Sequence, residues 1–559
     1  MLMFEKPQIR PKQRPSKVCY ITTPALLAAC GGGGESAVNF VSTQGALLPS
    51  PPAATGLPDG YVPPASVYVA PTVIDPNRFI LQTGLADPYW VASLRSDDFA
   101  EITASLISLD RTIFYAFPEA QPAFYDGVSQ AAGWQPANVE IRAAYADIFA
   151  SLEAVLDVRF VETADAAGAN VIAISRVEPA DPNTGGYAFF PSSGTPLGSD
   201  ILISVNFDAP VQNAGGSTNF DYEVLVHELG HALGLKHPFE ADRSSTQILP
   251  EAEDTSALTT MSYSFVSSAY DGEFRTFDLM ALVEAYGVNP TFRAGDDVYT
   301  FSAQQGVFVI DGAGTDTISA AGQTQSVTID LRDGAQSHVG VAGPLISAGF
   351  QLAISPNSKI ENAIGGSGND VLAGNDLANR LEGAAGDDRI FAGEGADIVI
   401  GGAGDDIIDL SELSAATDTV VVDLGDAAGQ GDEIYSFVQG AAGDVVDIIG
   451  GTFAQLLDVV SANTVPEAIV HGHILRLTDA LLETSEQIRD AFADGGAFEG
   501  LDLDLGGEAL IVAANSQGTG EDQQLFYAQQ SLTELDVVHL ATFRGNYLDI
   551  DNWHANNFV

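Results

Sequence analysis

From about residue 79 the chain takes on the periodicities of packed elements. Between Asn138 and Leu156, apolar residues recur at Ile141, Tyr145, Ile148, Leu152 and Val155, one stripe of a helix turned toward a core. Thr112 to Phe117 alternates as a strand does, and Val171–Ile174 and Ile201–Ile203 are short apolar runs of strand length. This order, with a second helix following, predicts a mixed α+β unit ending near Pro290. The texture changes after Gly295. Short β-like segments such as Val298–Phe301 and Val327–Asp330 alternate with Gly/Asp turns, and residues 365–409 then resolve into five nine-residue units without slippage. Their sixth positions are Asp370, Asn379, Asp388, Asp397 and Asp406, and their eighth positions are Leu372, Leu381, Ile390, Val399 and Ile408. A short fixed period of this kind signals a stacked repeat rather than a linker, because a linker has no reason to keep an apolar residue at every ninth position. Beyond residue 410 the period dissolves into mixed segments: a strand at Thr419–Val422, a helix near Glu483–Ala493 and strands near Leu510 and Val537.

At 559 residues the chain is long enough for three or four domains, and 46% hydrophobic with 17% charged residues is enough to build real cores. Its charge is lopsided, with 22 Lys+Arg against 75 Asp+Glu and a net −53. Such a surface repels phosphate backbones and anionic lipid, which excludes nucleic acid as a partner. It suits a calcium-rich medium outside the cell. Both cysteines, Cys19 and Cys30, lie near the N-terminus, so no disulfide framework holds the body. No apolar run reaches the roughly 18–20 residues of a membrane span. Val18–Ala29 follows a basic tail and ends at Leu27-Ala28-Ala29-Cys30, which resembles a bacterial lipoprotein signal with Cys30 as the lipidation candidate. Eight prolines in residues 49–76 make an extended linker or pro-segment.

The window from Val226 to Pro238 carries the most specific chemistry. His227 and His231 stand four apart, on one face of a helix and within reach of one ion. Gly234 is placed where the helix can turn through a conformation that a β-carbon opposes, returning His237 to the same ion. Glu228, beside the first histidine, can reach a water at the open coordination position and act as its general base. An amphipathic helix with incidental histidines explains His227 and His231 alone but not the correctly spaced Gly234 and His237. Twenty-four residues further on, Thr259-Thr260-Met261-Ser262-Tyr263 supplies a methionine for a tight turn beneath the histidines.

These residues resemble the serralysin family of secreted bacterial zinc endopeptidases, within the wider metzincin and matrixin-like group. The likeness rests on the extended histidine motif with Pro238 and on Met-Ser-Tyr, and continues through Phe277-Asp278, Tyr286–Asn289, Gly295–Tyr299, Asp311–Thr317 and Ile360–Gly366. The resemblance implies one catalytic zinc held by His227, His231 and His237. It also implies that Tyr263 is a further ligand that swings away to stabilise the oxyanion, and that Met261 is structural. The family usually leaves the cell through a type I system reading an uncleaved C-terminal signal, so a lipoprotein-like leader departs from its pattern. The C-terminal 150 residues also differ from a short family tail, and no cysteine switch is present to silence the zinc.

The nine-residue units fit the RTX pattern GGxGxDxUx. Glycines allow the tight turns, the sixth-position carboxylates supply hard oxygen ligands, and the eighth-position residues point into a parallel β-roll that folds with several structural calcium ions. The expected ligands are Asp370, Asp388, Asp397 and Asp406, with Asn369, Asp387 and Asp405 beside them; Asn379 and Leu377 weaken the second unit.

The sequence therefore predicts a multidomain chain. Its parts are a signal-like leader (1–29), a Pro-rich linker or pro-segment (30–78), an α+β metzincin-type catalytic domain (79–290), a parallel β-roll of RTX repeats (291–410) and a mixed, mainly β C-terminal region with a secretion or adhesion role (411–559). The expected activity is hydrolysis of protein or peptide substrates outside the cell or on its surface. Contact with a membrane is expected only through Cys30, with a secretion apparatus as a further partner. The competing reading is a non-catalytic calcium-binding surface or adhesion protein with a relic protease fold. A relic loses site residues, and His227, Glu228, His231, His237 and Tyr263 are all present.

Overall fold

A computed structural model gives the architecture. It describes residues 88–107, 110–168, 171–192, 196–207, 220–241, 246–266, 273–424, 431–439, 443–449, 484–492, 522–530 and 557–558. It also describes the strands Leu2–Met3, Thr43–Gln44, Val73–Asp75, Arg78–Phe79, Gln455–Val459, His473–Leu477, Glu508–Ala514 and Leu535–Arg544. Cys19, Cys30, the lipoprotein-like signal and most of the Pro-rich segment lie outside the described residues. No helix among the described residues is long and apolar enough to cross a membrane.

The first region is a mixed sheet with helices. Strands β1 (Thr112–Ala116), β2 (Gln135–Pro136), β3 (Arg159–Glu162), β4 (Val171–Val177), β5 (Gly186–Ala188) and β6 (Ile201–Ser204) form one sheet. Its main path runs β3-β1-β4-β6-β5, with β2 paired to β4. The first four strands of that path are parallel and β5 closes the edge antiparallel to β6. The central strands β4 and β6 are buried on both sides, which is why their sequences read as continuous apolar runs.

Helix α1 (Val139–Val155) starts at Asn138, whose side chain accepts a hydrogen bond from Ile141 N at 2.9 Å. It buries Ile141, Ala144, Tyr145, Ile148, Phe149 and Leu152, while Val155 is half-buried and Leu156 completes the core face. Tyr145 donates across to Leu225 O at 3.3 Å, tying α1 to α2 (Phe220–Ala232), the helix that carries the first two site histidines. The other face of the sheet is covered by a smaller cluster of Tyr125, Ala131, Val177, Phe189 and Leu202. Helix α3 (Thr276–Tyr286) buries Phe277, Met280, Leu282 and Val283 in the same main core as α1 and α2.

The second region is a pair of stacked sheets. From strand 362–364 to strand 445–449, successive strands join the two sheets alternately. Strands 298–300, 317–319, 362–364, 380–385, 398–403, 419–423 and 445–449 are parallel in one, and 327–330, 371–373, 389–391, 407–409 and 432–435 run in parallel order in the other. Leu372, Ile390 and Ile408 are in register in one sheet, Leu381 and Val399 in the other, and all five are at most 1% exposed. The nine-residue period thus places each eighth-position side chain between the sheets. The stacking runs on past residue 410, since Val420, Val422, Ile434, Val446 and Ile448 share the same core. Strand 535–544 then pairs with 432–435 and carries the sheet into strands 523–530, 508–514, 473–477 and 455–459.

The two regions are packed together. A hairpin excursion between strands 336–339 and 351–354 places Ile346 in the core of the first region. Its backbone is bonded there: Ile346 N donates to Tyr89 Oη at 2.9 Å, Ser347 N to Glu253 Oε1 at 2.9 Å, and Tyr89 Oη to Glu253 Oε2 at 2.5 Å. Asn357 Nδ2 adds a bond to Val283 O at 2.8 Å, and Phe308 packs edge-on to Phe277 on α3.

Candidate metal centre

Helix α2 brings His227 and His231 onto one face, with ring centroids 4.8 Å apart. The helix ends at Gly234, whose φ of +102° turns the chain back. A β-carbon there would also press on Phe99 and Thr103 at 3.0 Å. The turn delivers His237, whose ring centre lies 4.7 Å from that of His231 and 5.3 Å from that of His227. His237 Nε2 is 3.1 Å from His231 Nε2 and 3.4 Å from His227 Nε2. The three imidazoles are 5%, 2% and 0% exposed in chain order, and each offers a nitrogen within 4.8 Å of the others.

The outer nitrogens explain why the inner ones converge. His227 Nδ1 lies 2.8 Å from Thr260 O and His231 Nδ1 2.7 Å from Leu235 O. A carbonyl can only accept, so both Nδ1 atoms carry the proton and both Nε2 atoms present lone pairs inward. Burial lowers the pKa of His227 to about 3 and that of His231 well below its ordinary value, with neighbouring imidazoles adding to both, so neither gains a proton. Three Nε2 atoms converge in a buried pocket, those of His231 and His227 lying 3.1–3.4 Å from that of His237 and presenting lone pairs, and neutral imidazole is a favoured zinc ligand. The donor set fits zinc.

Tyr263 Oη stands 3.0 Å from His237 Nε2, at the edge of the same cluster. Glu228 is 2% exposed, and burial pushes its carboxyl up to about 8. Met261 is fully buried against the helix that carries His227 and His231. Its Sδ would lie only 2.5 Å from a β-carbon at position 230, which accounts for Gly230 inside the helical motif. The turn bearing Met261 is clamped by Asp278 on α3. This buried carboxylate accepts from Thr259 Oγ1 at 2.6 Å, Thr260 N at 2.7 Å, Thr260 Oγ1 at 2.9 Å and Arg275 N at 2.9 Å. Because Thr260 also supplies the carbonyl for His227, Asp278 holds a zinc-site tautomer at one remove. Arg275 in turn makes a buried, two-pronged pair with Glu223 on α2, at 3.1 and 3.3 Å.

The aspartates of the repeats form two rows, one at each edge of the stacked sheets. In one, Asp370 N donates to Asp388 Oδ1 at 2.7 Å and Asp388 N to Asp406 Oδ1 at 2.8 Å. In the other, Asn379 N donates to Asp397 Oδ1 at 2.7 Å. Asp370, Asp388, Asp397 and Asp406 are each 1% exposed. The second oxygens of Asp388, Asp397 and Asp406 are buried without any hydrogen-bond donor. Burial, with like charges adding to it, pushes these carboxyls up to about 8, 8 and 6 respectively. Stranded acidic oxygens of this kind fit a hard cation that prefers oxygen ligands. Asn369, Asp387 and Asp405 are exposed and make a separate outer row, with Asp387 N to Asn369 Oδ1 and Asp405 N to Asp387 Oδ1 each at 3.2 Å. Asn379 occupies an inner position, but its amide is committed elsewhere, accepting from Asn375 N at 2.7 Å and donating to Glu361 O at 3.0 Å.

Comparison with known proteins converges on the same two chemistries. Residues 357–376 and 373–408 match the family described as RTX calcium-binding nonapeptide repeat, and residues 169–278 match the family described as Pregnancy-associated plasma protein-A, a peptidase family. A serralysin of Proteus mirabilis is 37% identical over 201 residues, covering 30% of this chain and 39% of that protein. A serralysin of Photorhabdus laumondii is 33% identical over 261 residues, 41% of this chain and 52% of that one. Metalloprotease AprA of Pseudomonas entomophila is 33% identical over 235 residues, 36% and 47% of the two chains. The chain is serralysin-like. It spans about half or less of the length of these relatives. Likeness to metalloproteases and to calcium-binding repeats implies zinc and calcium, in agreement with both donor sets.

Several residues that shape the serralysin-like site escaped the sequence reading. Asp278 was visible only as part of a resemblance, and nothing in its spacing announces a clamp eighteen residues earlier in the chain. Asp418, Asp432 and Asp444 extend the inner rows beyond the repeats: Asp397 N donates to Asp418 Oδ1 at 2.9 Å, Asp406 N to Asp432 Oδ1 at 3.0 Å and Asp418 N to Asp444 Oδ1 at 3.0 Å. Here a signal existed. Asp418/Val420, Asp432/Ile434 and Asp444/Val446 keep the acid-then-apolar spacing of the repeat although the glycines are gone.

Proposed function

We propose that this chain is a secreted zinc endopeptidase whose catalytic domain (79–290) has the metzincin α+β fold and is carried by a calcium-dependent β-roll (291–410). The observation that carries the reading is the convergence of three buried imidazoles beside Glu228 and Tyr263, with the outer nitrogens of His227 and His231 already occupied by backbone carbonyls. His227, His231 and His237 are the zinc ligands in this reading. When bound, zinc supplies Lewis acidity for attack of water on a peptide carbonyl. Glu228 takes the proton of the attacking water and returns it to the leaving amine. Its buried carboxylate is close enough to neutral pH in proton affinity to do both. Tyr263, half-buried at the rim, stabilises the developing oxyanion with its hydroxyl. Met261 keeps the floor under the histidines.

Asp370, Asp388, Asp397 and Asp406 hold calcium in the same reading, with Asn369, Asp387 and Asp405 flanking them. Substrates are proteins or peptides. Residues 411–559 serve secretion or adhesion, and Cys30 is the candidate lipid anchor that would display the enzyme on the bacterial surface. The deciding experiment is cleavage of casein or a fluorogenic peptide by the purified, calcium-loaded chain, with and without a zinc chelator, beside Glu228→Ala. Hydrolysis that is lost to chelator, restored by zinc and absent in the variant supports the protease. A zinc-loaded, calcium-loaded chain that cleaves nothing refutes it and leaves the non-catalytic surface protein as the account.

A further inference from the structure

The third histidine is held differently from the first two. His227 and His231 give their Nδ1 protons to backbone carbonyls, but the turn after Gly234 places none under His237. His237 is fully buried, and the nearest acceptor to its Nδ1 is the carboxylate of Glu240, with Oε2 at 3.2 Å. The approach is within charge-pair distance but off the axis of a well-aligned hydrogen bond. Glu240 is itself placed by a built turn. Its N–H donates to His237 O at 3.2 Å, and its carbonyl accepts from Lys236 Nζ. The Lys236 ammonium, 2% exposed, also bonds Ser93 O at 2.7 Å and Gln247 O at 3.4 Å, so it pins the loop 237–240 to the start of the domain.

We propose that Glu240 is a positioning residue for the zinc site, its carboxylate accepting the Nδ1 proton of His237 and thereby turning the Nε2 lone pair toward those of His227 and His231. The inference rests on the zinc reading of the histidine cluster. Its physical basis is general: a metal-bound imidazole is oriented, and made a better donor, by an acceptor on its far nitrogen. A carboxylate polarises the ring more than a carbonyl does, so the ligand delivered by the loop rather than the helix receives the stronger orienting partner. The loop histidine has the most freedom to lose, which is where such a partner matters most.

The test uses the full, calcium-loaded chain stripped of zinc and titrated with Zn²⁺ against a chromophoric chelator, as wild type, Glu240→Ala and Glu240→Gln. The Glu240 side chain is 41% exposed, so neither variant threatens folding, and thermal melts of the zinc-free forms check this. Glu240→Ala is expected to weaken zinc binding about 10- to 100-fold. Glu240→Gln, whose amide oxygen can still accept, is expected to stay within about threefold of wild type. The visible spectrum of the cobalt-substituted protein should change in the alanine variant and be restored in the glutamine variant. Zinc affinity within about twofold of wild type in Glu240→Ala overturns the proposal. Equal losses in both variants overturn it as well, because acceptance of the proton would then not be what Glu240 contributes. A wild-type chain that binds no zinc defeats the zinc reading itself, and that result is distinct from either.

Discussion

The histidine cluster and the aspartate rows are both buried sets of metal-ligand atoms, yet they are built on opposite principles. In the histidine cluster burial lowers the pKa of His227 and His231, and their outer nitrogens are bonded to carbonyls that hold the rings in place. The helix, the turn at Gly234 and the Asp278 clamp complete that geometry with protein groups alone. In the rows the ligands are acids stacked in register with second oxygens that meet no donor at Asp388, Asp397 and Asp406. Neutral donors can be buried and aimed in advance of the ion, whereas several carboxylates in a line cannot, because each ionised neighbour raises the cost of the next. In the proposed reading the zinc site is preorganised and the calcium rows are completed by their ion.

Calcium removal should therefore have the largest effect. Chelation at neutral pH is expected to unfold the stacked sheets, with loss of the far-ultraviolet strand signal and of the cooperative transition for that region. Selective zinc removal should abolish hydrolysis but keep the near-ultraviolet spectrum of the catalytic core. Equal structural loss on removing either ion would break the contrast. The Asp278 clamp comes next. Asp278→Ala strips the acceptor from four donors around the Met261 turn, and should cost about 2–4 kcal/mol in thermal unfolding together with weaker zinc binding. A stable variant with unaltered zinc affinity would show that the turn does not depend on its clamp.

The helical stripe of α1, the apolar strands and the histidine motif were legible because each is a local pattern, and a period or a four-residue spacing is complete within one element. The nine-residue register was legible for the same reason, down to the eighth-position residues between the sheets. What stayed hidden is long-range or rests on a single group. Glu253 meets Ser347 and Tyr89 across distant parts of the chain, and Asp278 finds Thr260 only once α3 is docked. In the sequence the strands beyond residue 410 look like separate segments, yet they continue the two sheets, because the lasting mark of the repeat is not its glycine turn but an acid two residues before an apolar side chain. Asn369, Asp387 and Asp405 show the converse: adjacency in sequence to an inner aspartate places them on the outside, as successive residues of an extended segment point opposite ways.

That lasting mark can be tested by comparing rungs inside and outside the repeats. Asp388→Asn and Asp432→Asn each neutralise one inner rung, and Asp432 is held like the others, accepting from Asp406 N at 3.0 Å. Each should shift the calcium midpoint for folding upward by about three- to tenfold. A loss confined to Asp388→Asn would mean that the rows end functionally at the last repeat, whatever their hydrogen bonding.

The smallest effect, and the one that sharpens the contrast most, is expected from adding an acid rather than removing one. Asn379 sits in an inner row directly before Asp397, whose Oδ1 accepts its N–H at 2.7 Å, and its neutral amide spares that row one like charge. Asn379→Asp supplies an oxygen ligand where the repeat calls for one, but also sets a new carboxylate beside Asp397 and gives up the bond to Glu361 O. At limiting calcium, where the rows are only partly filled, the variant should be less stable by about 1 kcal/mol, since an unpaired charge joins an already acidic row. At saturating calcium the added ligand should recover that loss, so the gap in melting temperature between saturating and limiting calcium widens. Calorimetric melts of both proteins in the two conditions measure the gap directly. If the gap narrows, Asn379 is serving the row better than an aspartate could, and completion by the ion does not govern that position.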